Sequence, residues 1–188
     1  MINRPWYWPD YYIAKLDDLD PNLLYAKGIR AIIFDFDNTL KYYPEPVIRA
    51  ELIQHLQCWI EVFSKQKISI VSNQVTRTGK ECLQTEASKL GLRAFATGLL
   101  IKPLPYFLFK AAQAMQVSPA QTLIIGDLLI ADIIGGRLAG MQTALVQPLS
   151  QNEQFSSRFF RPLDRWLLKS LKPNELTCYL NDVNKEGR

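Results

Sequence analysis

Asp35 and Asp37 stand one residue apart in "AIIFDFDNTL", at the end of an apolar run that reads as a buried strand. A buried carboxylate without a partner is costly, so two of them there call for positive charge nearby. Ser72 and Asn73 close a second apolar run, "ISIVSN". Lys102 precedes Pro103, and "TLIIGDLLIAD" supplies Asp127 and Asp132. Four carboxylates, a hydroxyl and an ammonium gathered in one crevice would suit a divalent cation. Mg²⁺ is expected, because it prefers hard oxygen ligands. Asp35, Asp37 and Asp127 are the expected metal ligands, with Asp132 supporting by orienting a metal-bound water or Lys102.

Such a set suits phosphoryl transfer. Metal and ammonium offset the charge of a phosphate so that an anionic carboxylate can approach it. Asp35 is then the nucleophile, forming an aspartyl-phosphate. Asp37 protonates the leaving oxygen and later deprotonates water. Asn38, Thr39, Ser72, Asn73 and Lys102 would hold phosphate oxygens. The catalytic set is Asp35, Asp37, Ser72 and Lys102.

These residues need elements to bring them together. The pattern predicts a helix from Pro21 to Gly28, then a strand over Ala31–Phe36. A helix over Pro46–Lys65 follows from Ile48, Leu52, Leu56, Trp59, Ile60 and Phe63 at three- and four-residue steps. Strands are predicted at Ile68–Asn73, Arg93–Thr97, Thr122–Asp127 and in "TALVQP". Helices are predicted at Thr78–Leu90, Pro103–Val117 and Leu128–Leu138. Alternating short apolar strands and helices imply an α/β fold with a doubly wound parallel sheet, which binds ligands at the carboxyl ends of its strands. Every candidate residue above falls at or just beyond such an end.

The 188 residues, 48% hydrophobic and 21% charged, fit one soluble domain, here residues 1–172. It opens with an aromatic arm over residues 1–12, expected to be irregular, and a polar tail over 173–188, expected to be poorly ordered, follows. Cys58, Cys82 and Cys178 form no CxxC pair, so zinc is not expected. His55 is the single histidine, which leaves a His-ligated metal site or a Ser-His-Asp triad without support. Asp127 and Asp132 interrupt the longest apolar stretch, so no transmembrane helix is expected. The N-terminus lacks the apolar core of a secretory signal.

Taken together, the motifs resemble the haloacid dehalogenase superfamily of phosphatases. "DFDNT" is similar to its first motif, "SIVSN" to its second, Lys102 of "IKP" to its third and "GDLLIAD" to its fourth. Asn38 in place of the commoner glycine, the lead-in from Leu16, and "TALVQPLS" before a basic segment resemble the YqeG-type branch. That branch is similar to the phosphatidylglycerophosphate phosphatases of organelles and plants. The resemblance implies a Mg²⁺-dependent phosphomonoesterase that converts phosphatidylglycerophosphate to phosphatidylglycerol. Leu128 and Ala131 depart from it, occupying positions expected to be more polar.

Only 34 residues separate Asp37 from Ser72, and 29 separate Ser72 from Lys102. That leaves no room for an inserted cap domain. An open crevice suits a phosphate carried on something large, including a lipid headgroup. The net charge of +4 is concentrated: Arg158, Arg161, Arg165, Lys169 and Lys172 face only Glu153 and Asp164 between residues 151 and 172. In a predicted helix at about 162–171, Arg165, Lys169 and Lys172 form a stripe largely opposite Leu163, Trp166, Leu167 and Leu171. Arg165, Trp166, Lys169 and Lys172 are candidate contacts with an anionic membrane. The same helix read as packed on the domain with a solvated stripe stands beside that reading. Trp6, Tyr7, Trp8, Tyr11 and Tyr12 are open to the same two readings. The chain is expected in the cytoplasm, peripheral at the inner face of the membrane. No nucleic-acid-reading motif accompanies the basic segment. A capless phosphatase of phosphoproteins, nucleotides or sugar phosphates is the alternative enzyme. A non-catalytic binding module that kept the fold is the alternative of another class.

Overall fold

The structure, a computed structural model, describes residues 5–98, 101–150, 152, 162–164 and 166–167. Six strands form one parallel sheet: β1 Tyr11–Ile13, β2 Ala31–Phe34, β3 Ile68–Ser72, β4 Arg93–Ala96, β5 Thr122–Gly126 and β6 Gln142–Val146. Their spatial order is β1-β6-β5-β2-β3-β4. Five strands were expected. The sixth, β1, lies in the aromatic arm and pairs with β6 from Tyr11 opposite Ala144 to Ile13 opposite Val146. Three residues just after Pro9 carry too little periodicity to announce a strand. What makes this one is the open edge of β6.

Alternate residues of β2 serve the two faces of the sheet, as the two-residue period requires. Ile32 and Phe34 join one core with Leu56, Trp59 and Phe63 of α2 (Ala50–Phe63) and Leu83 of α3 (Arg77–Leu90). Ala31 and Ile33 join the other, with Leu108, Ala111 and Met115 of α4 (Tyr106–Met115). Helices on both faces confirm the doubly wound architecture. The short α1, Pro21–Ala26, is capped by Asp20, whose carboxylate accepts from Asn22 N. Helix α2 begins at Ala50 rather than Pro46. The chain before it is a loop, with Ile48 N donating to the Glu86 carboxylate at 2.9 Å.

Sequential strands run outward from β2 through β3 to β4, then restart on its other side at β5 and β6. The direction therefore reverses between β2 and β5, where such sheets place their ligand crevice. Residues 35–49 after β2 and 73–76 after β3 are loops, with no inserted domain. Among the described residues, no cap domain covers the crevice.

After β5 the chain does not enter an ordinary helix. Leu129–Ile134 form a wide π-type turn, continued by the short α5, Gly135–Leu138. Such turns recur at functional sites. Residues 162–164 and 166–167 are helical. Leu167 packs against the cluster of Leu129, Ile133 and Leu145, as do Tyr7 and Tyr12, while Leu163 and Trp166 are exposed. The predicted apolar face is thus divided between core and solvent. Arg165, Lys169, Lys172, Cys178 and the 173–188 tail lie outside the described residues.

Candidate active site

β2, β3 and β5 end on their polar residues because each apolar run stops at the crevice. Asp35, Ser72, Asp127 and Asp132 are all buried there, and so is Lys102 from the loop after β4. The Lys102 ammonium lies 2.6 Å from Asp35 Oδ1, 2.6 Å from Asp132 Oδ1 and 2.9 Å from the Val71 carbonyl, with only 1% of the residue exposed. Burial alone would push its pKa down. The Asp132 and Asp35 carboxylates outweigh that and hold it above its ordinary value.

One ammonium does not balance the carboxylates around it. Burial pushes the Asp35 carboxyl up to about 7, against the pull of Lys102 and with the help of Asp132 and Asp37. Asp35, Asp127 and Asp132 each bring a carboxylate oxygen within 4.8 Å of the others. All-oxygen donors, an excess of negative charge and a buried setting fit a small hard cation such as Mg²⁺. The Asp37 carboxylate is not part of this trio. Its Oδ1 lies 2.6 Å from Lys41 Nζ and its Oδ2 accepts from Gln74 Nε2 at 2.5 Å.

Glycine makes part of this geometry. A Cβ on Gly126 would lie 2.2 Å from the Asp132 carboxylate, so only glycine lets that carboxylate close over the end of β5. The same argument applies at Gly79, whose absent Cβ leaves room for Gln74 Oε1.

Several expected phosphate ligands have other commitments. Asn38 adopts φ 61°, a left-handed turn that asparagine tolerates. Its side chain donates to Asn152 O and accepts from Tyr43 N and Ser150 Oγ. Asn73 Oδ1 accepts from Lys102 N at 2.8 Å and Thr97 Oγ1 at 3.0 Å, which ties the Lys102 loop to β3. Both side chains thereby tie loops of the crevice together. Ser72 Oγ accepts from Gln74 Nε2 at 3.2 Å. The buried Thr39 hydroxyl has no hydrogen-bond partner among the described residues.

Three residues escaped the sequence reading. Lys41 sat in what read as a turn, and Gln74 in what read as a loop. Asp164 counted only as an acid in a basic segment. It is buried, and its carboxylate accepts from Leu129 N at 3.1 Å and Ile130 N at 3.0 Å. It thereby fixes the turn between Asp127 and Asp132. Buried Leu128 and Ala131 are simply packed there. His55 lies apart at the surface, paired with Asp17 at 2.6 Å.

The chain matches the family described as mitochondrial PGP phosphatase over residues 1–150. It is 29% identical over 171 residues to the protein named Probable phosphatase YqeG of Bacillus subtilis (strain 168), covering 90% of this chain and 94% of that one. It is 27% identical over 184 residues to phosphatidylglycerophosphate phosphatase 1, chloroplastic/mitochondrial, of Arabidopsis thaliana, covering 91% of this chain but 51% of the relative. The crystal structure of an uncharacterized protein from Listeria monocytogenes serotype 4b shares the fold. Its TM-score is 0.52 at 20% identity, over 68% of this chain and 85% of that one. The buried Asp–Lys–Asp arrangement at the strand ends agrees with these likenesses: the chain belongs to the mitochondrial PGP phosphatase family and is a phosphatase of the haloacid dehalogenase type.

Proposed function

We propose that the protein is a Mg²⁺-dependent phosphomonoesterase acting on phosphatidylglycerophosphate at a membrane surface. The observation that carries the chemistry is the buried cluster of Asp35, Lys102, Asp127 and Asp132 at the switch point of the sheet. Asp35, Asp127 and Asp132 would hold the metal, which when bound offsets the charge of the incoming phosphate. Asp35 Oδ attacks phosphorus as the bond to the leaving oxygen breaks. Asp37 gives its proton to that oxygen. Water then attacks the aspartyl-phosphate, Asp37 takes its proton, and inorganic phosphate leaves with Asp35 restored. Lys102, held by two carboxylates and a carbonyl, keeps Asp35 oriented for both attacks.

The lipid assignment is supported by the phosphatidylglycerophosphate phosphatase of Arabidopsis and by the uncapped crevice. Exposed apolar residues beside the fourth motif support the surface location. Trp6 adjoins Tyr7 and Trp166 adjoins Leu167, while Tyr7 and Leu167 pack on the same Leu129–Ile133–Leu145 cluster. No helix among the described residues is long and apolar enough to cross a membrane. Docking would therefore be peripheral, with Arg165, Lys169 and Lys172 contributing by charge.

The test is phosphate release from phosphatidylglycerophosphate, phosphatidic acid, sugar phosphates, nucleotides and a phosphopeptide, with Mg²⁺ and with chelator. Phosphatidylglycerophosphate should give the highest kcat/KM, and chelator should abolish it. Preference for a soluble phosphate would overturn the lipid reading, and full activity in chelator the metal. Replacing Arg165, Lys169 and Lys172 together by Gln should weaken binding to anionic vesicles by up to about 3 kcal/mol.

A further inference from the structure

Asp37 sits at the mouth of a second space. A pocket of about 370 Å³ opens beside it, walled by Phe36, Val75 and Pro44 and edged by Thr76 and Thr78. Among the described residues lining it, Lys41 is the one cation. Its side chain is only 5% exposed, and its ammonium is bonded to Asp37 Oδ1 at 2.6 Å and the Glu45 carbonyl at 2.7 Å. The Glu45 carboxylate does not compete for it, being turned to Arg49.

Burying a lysine where its main counter-charge is a mobile catalytic acid needs a reason. To reach a leaving oxygen, Asp37 must turn away from Lys41. The ammonium then keeps the Glu45 carbonyl and, as opposing charge, only the through-space pull of a Glu45 carboxylate bonded to Arg49, which is unfavourable in a buried setting. An anion brought in by the substrate would restore the balance.

We infer that Lys41 is a specificity-determining residue, binding an anion carried by the leaving group of the phosphomonoester. The pocket takes alcohols that bear a phosphodiester a short bridge away from the scissile phosphate. The reach fits this class. The leaving oxygen lies within hydrogen-bond distance of Asp37, so Lys41 Nζ is roughly 5 to 8 Å from it. A glycerol bridge spans such a gap. The inference rests on the phosphatase reading above and deepens it, because phosphatidylglycerophosphate has this two-anion headgroup.

Two soluble substrates test it without a membrane. Glycerol 3-phosphate leaves as neutral glycerol. Deacylated phosphatidylglycerophosphate leaves as an alcohol carrying a phosphodiester. Wild-type enzyme should favour the second by at least about tenfold in kcat/KM, the effect of one charge-assisted hydrogen bond. That preference should shrink with added salt. Lys41→Met should bring the ratio close to one, and Lys41→Arg should recover part of it. A wild-type ratio near one overturns the proposal. So does a Lys41→Met enzyme slowed equally on both substrates, since Lys41 would then act only through Asp37. Should Lys41→Met fail to fold, the wild-type ratio and its salt dependence decide alone. A clear ratio with no hydrolysis of phosphatidylglycerophosphate in vesicles would refute the lipid reading and leave Lys41 in its role.

Discussion

Asp35 and Asp37 are separated only by Phe36, yet they live in different halves of the crevice. Asp35 is held by a long-range partner, Lys102 from the loop after β4, and is crowded by Asp127 and Asp132 from beyond β5. They come from two different βα units, one after β4 and one after β5, so that half exists only when those strands are in place. Asp37 is held by neighbours in the loops, Lys41 four residues on and Gln74 just past β3. One half is a charge cluster locked by strand ends, and the other is a loop-borne acid facing an open pocket. The difference teaches a division of labour. On the proposed chemistry the locked half would serve the phosphate, common to every substrate, and the looser half the leaving group, where substrates differ.

The sharpest break should come at Asp35. Asp35→Asn keeps the shape but removes the nucleophile, so turnover should fall by about 10⁴-fold or more on every phosphomonoester. Residual activity of a few per cent, with deamidation excluded by mass spectrometry, would remove Asp35 from that role. Asp37→Asn should behave differently. With an alkyl phosphate the loss should be about 10² to 10⁴-fold. With p-nitrophenyl phosphate, whose leaving group needs little protonation, phosphorylation of Asp35 should suffer less. Equal losses in rapid-quench phosphorylation of the two substrates would erase the distinction between the halves.

Gly126→Ala probes the locked half alone. Its new methyl collides with the Asp132 carboxylate. We expect a stability loss of about 1–3 kcal/mol, and roughly a 10²-fold fall in turnover as the cluster shifts. The Mg²⁺ concentration for half-maximal activity should rise as well. Unchanged Mg²⁺ dependence would dissociate Asp132 from the metal.

The smallest effect concerns pH. The Asp35 carboxyl is pushed up to about 7 from an ordinary 3.8, so the folded protein holds the proton more tightly than the unfolded chain. Its stability contribution is fully present below pH 3.8 and is lost as pH rises through about 7. In chelator, the wild-type melting temperature should therefore drop by a few degrees relative to Asp35→Asn across that window. Excess Mg²⁺, which binds the deprotonated form, should reduce the drop. Parallel melting curves for the two proteins would contradict the crowding of charge around Asp35.

The locked half was legible in the sequence because its residues end apolar strands, and a parallel sheet collects strand ends at one edge. Asp35, Ser72, Asp127 and Lys102 could be placed that way from strand order alone. The loop half was not. Lys41 meets Asp37 because the chain doubles back after Asn38, and Gln74 reaches it because Gly79 leaves space. Neither fact shows in periodicity. The positions of Asn38 and Asn73 at the crevice are readable in the same way, but the hydrogen bonds their side chains make to neighbouring loops are not. The polar positions of the tail were read as one stripe, and the inward turn of Asp164 gave no signal.

Asp164 also bears on what counts as the working unit. The family match ends at residue 150, and all the residues that carry the chemistry precede that point. Yet the backbone N–H groups of Leu129 and Ile130, inside the fourth motif, are satisfied by a carboxylate fourteen positions beyond it. A fragment cut at that boundary would retain the whole sheet and lose the brace on its own metal-side turn. On the ribosome the same order applies: Asp35 emerges well over a hundred residues ahead of Asp164, so the turn opposite it waits for its brace until that carboxylate has been made.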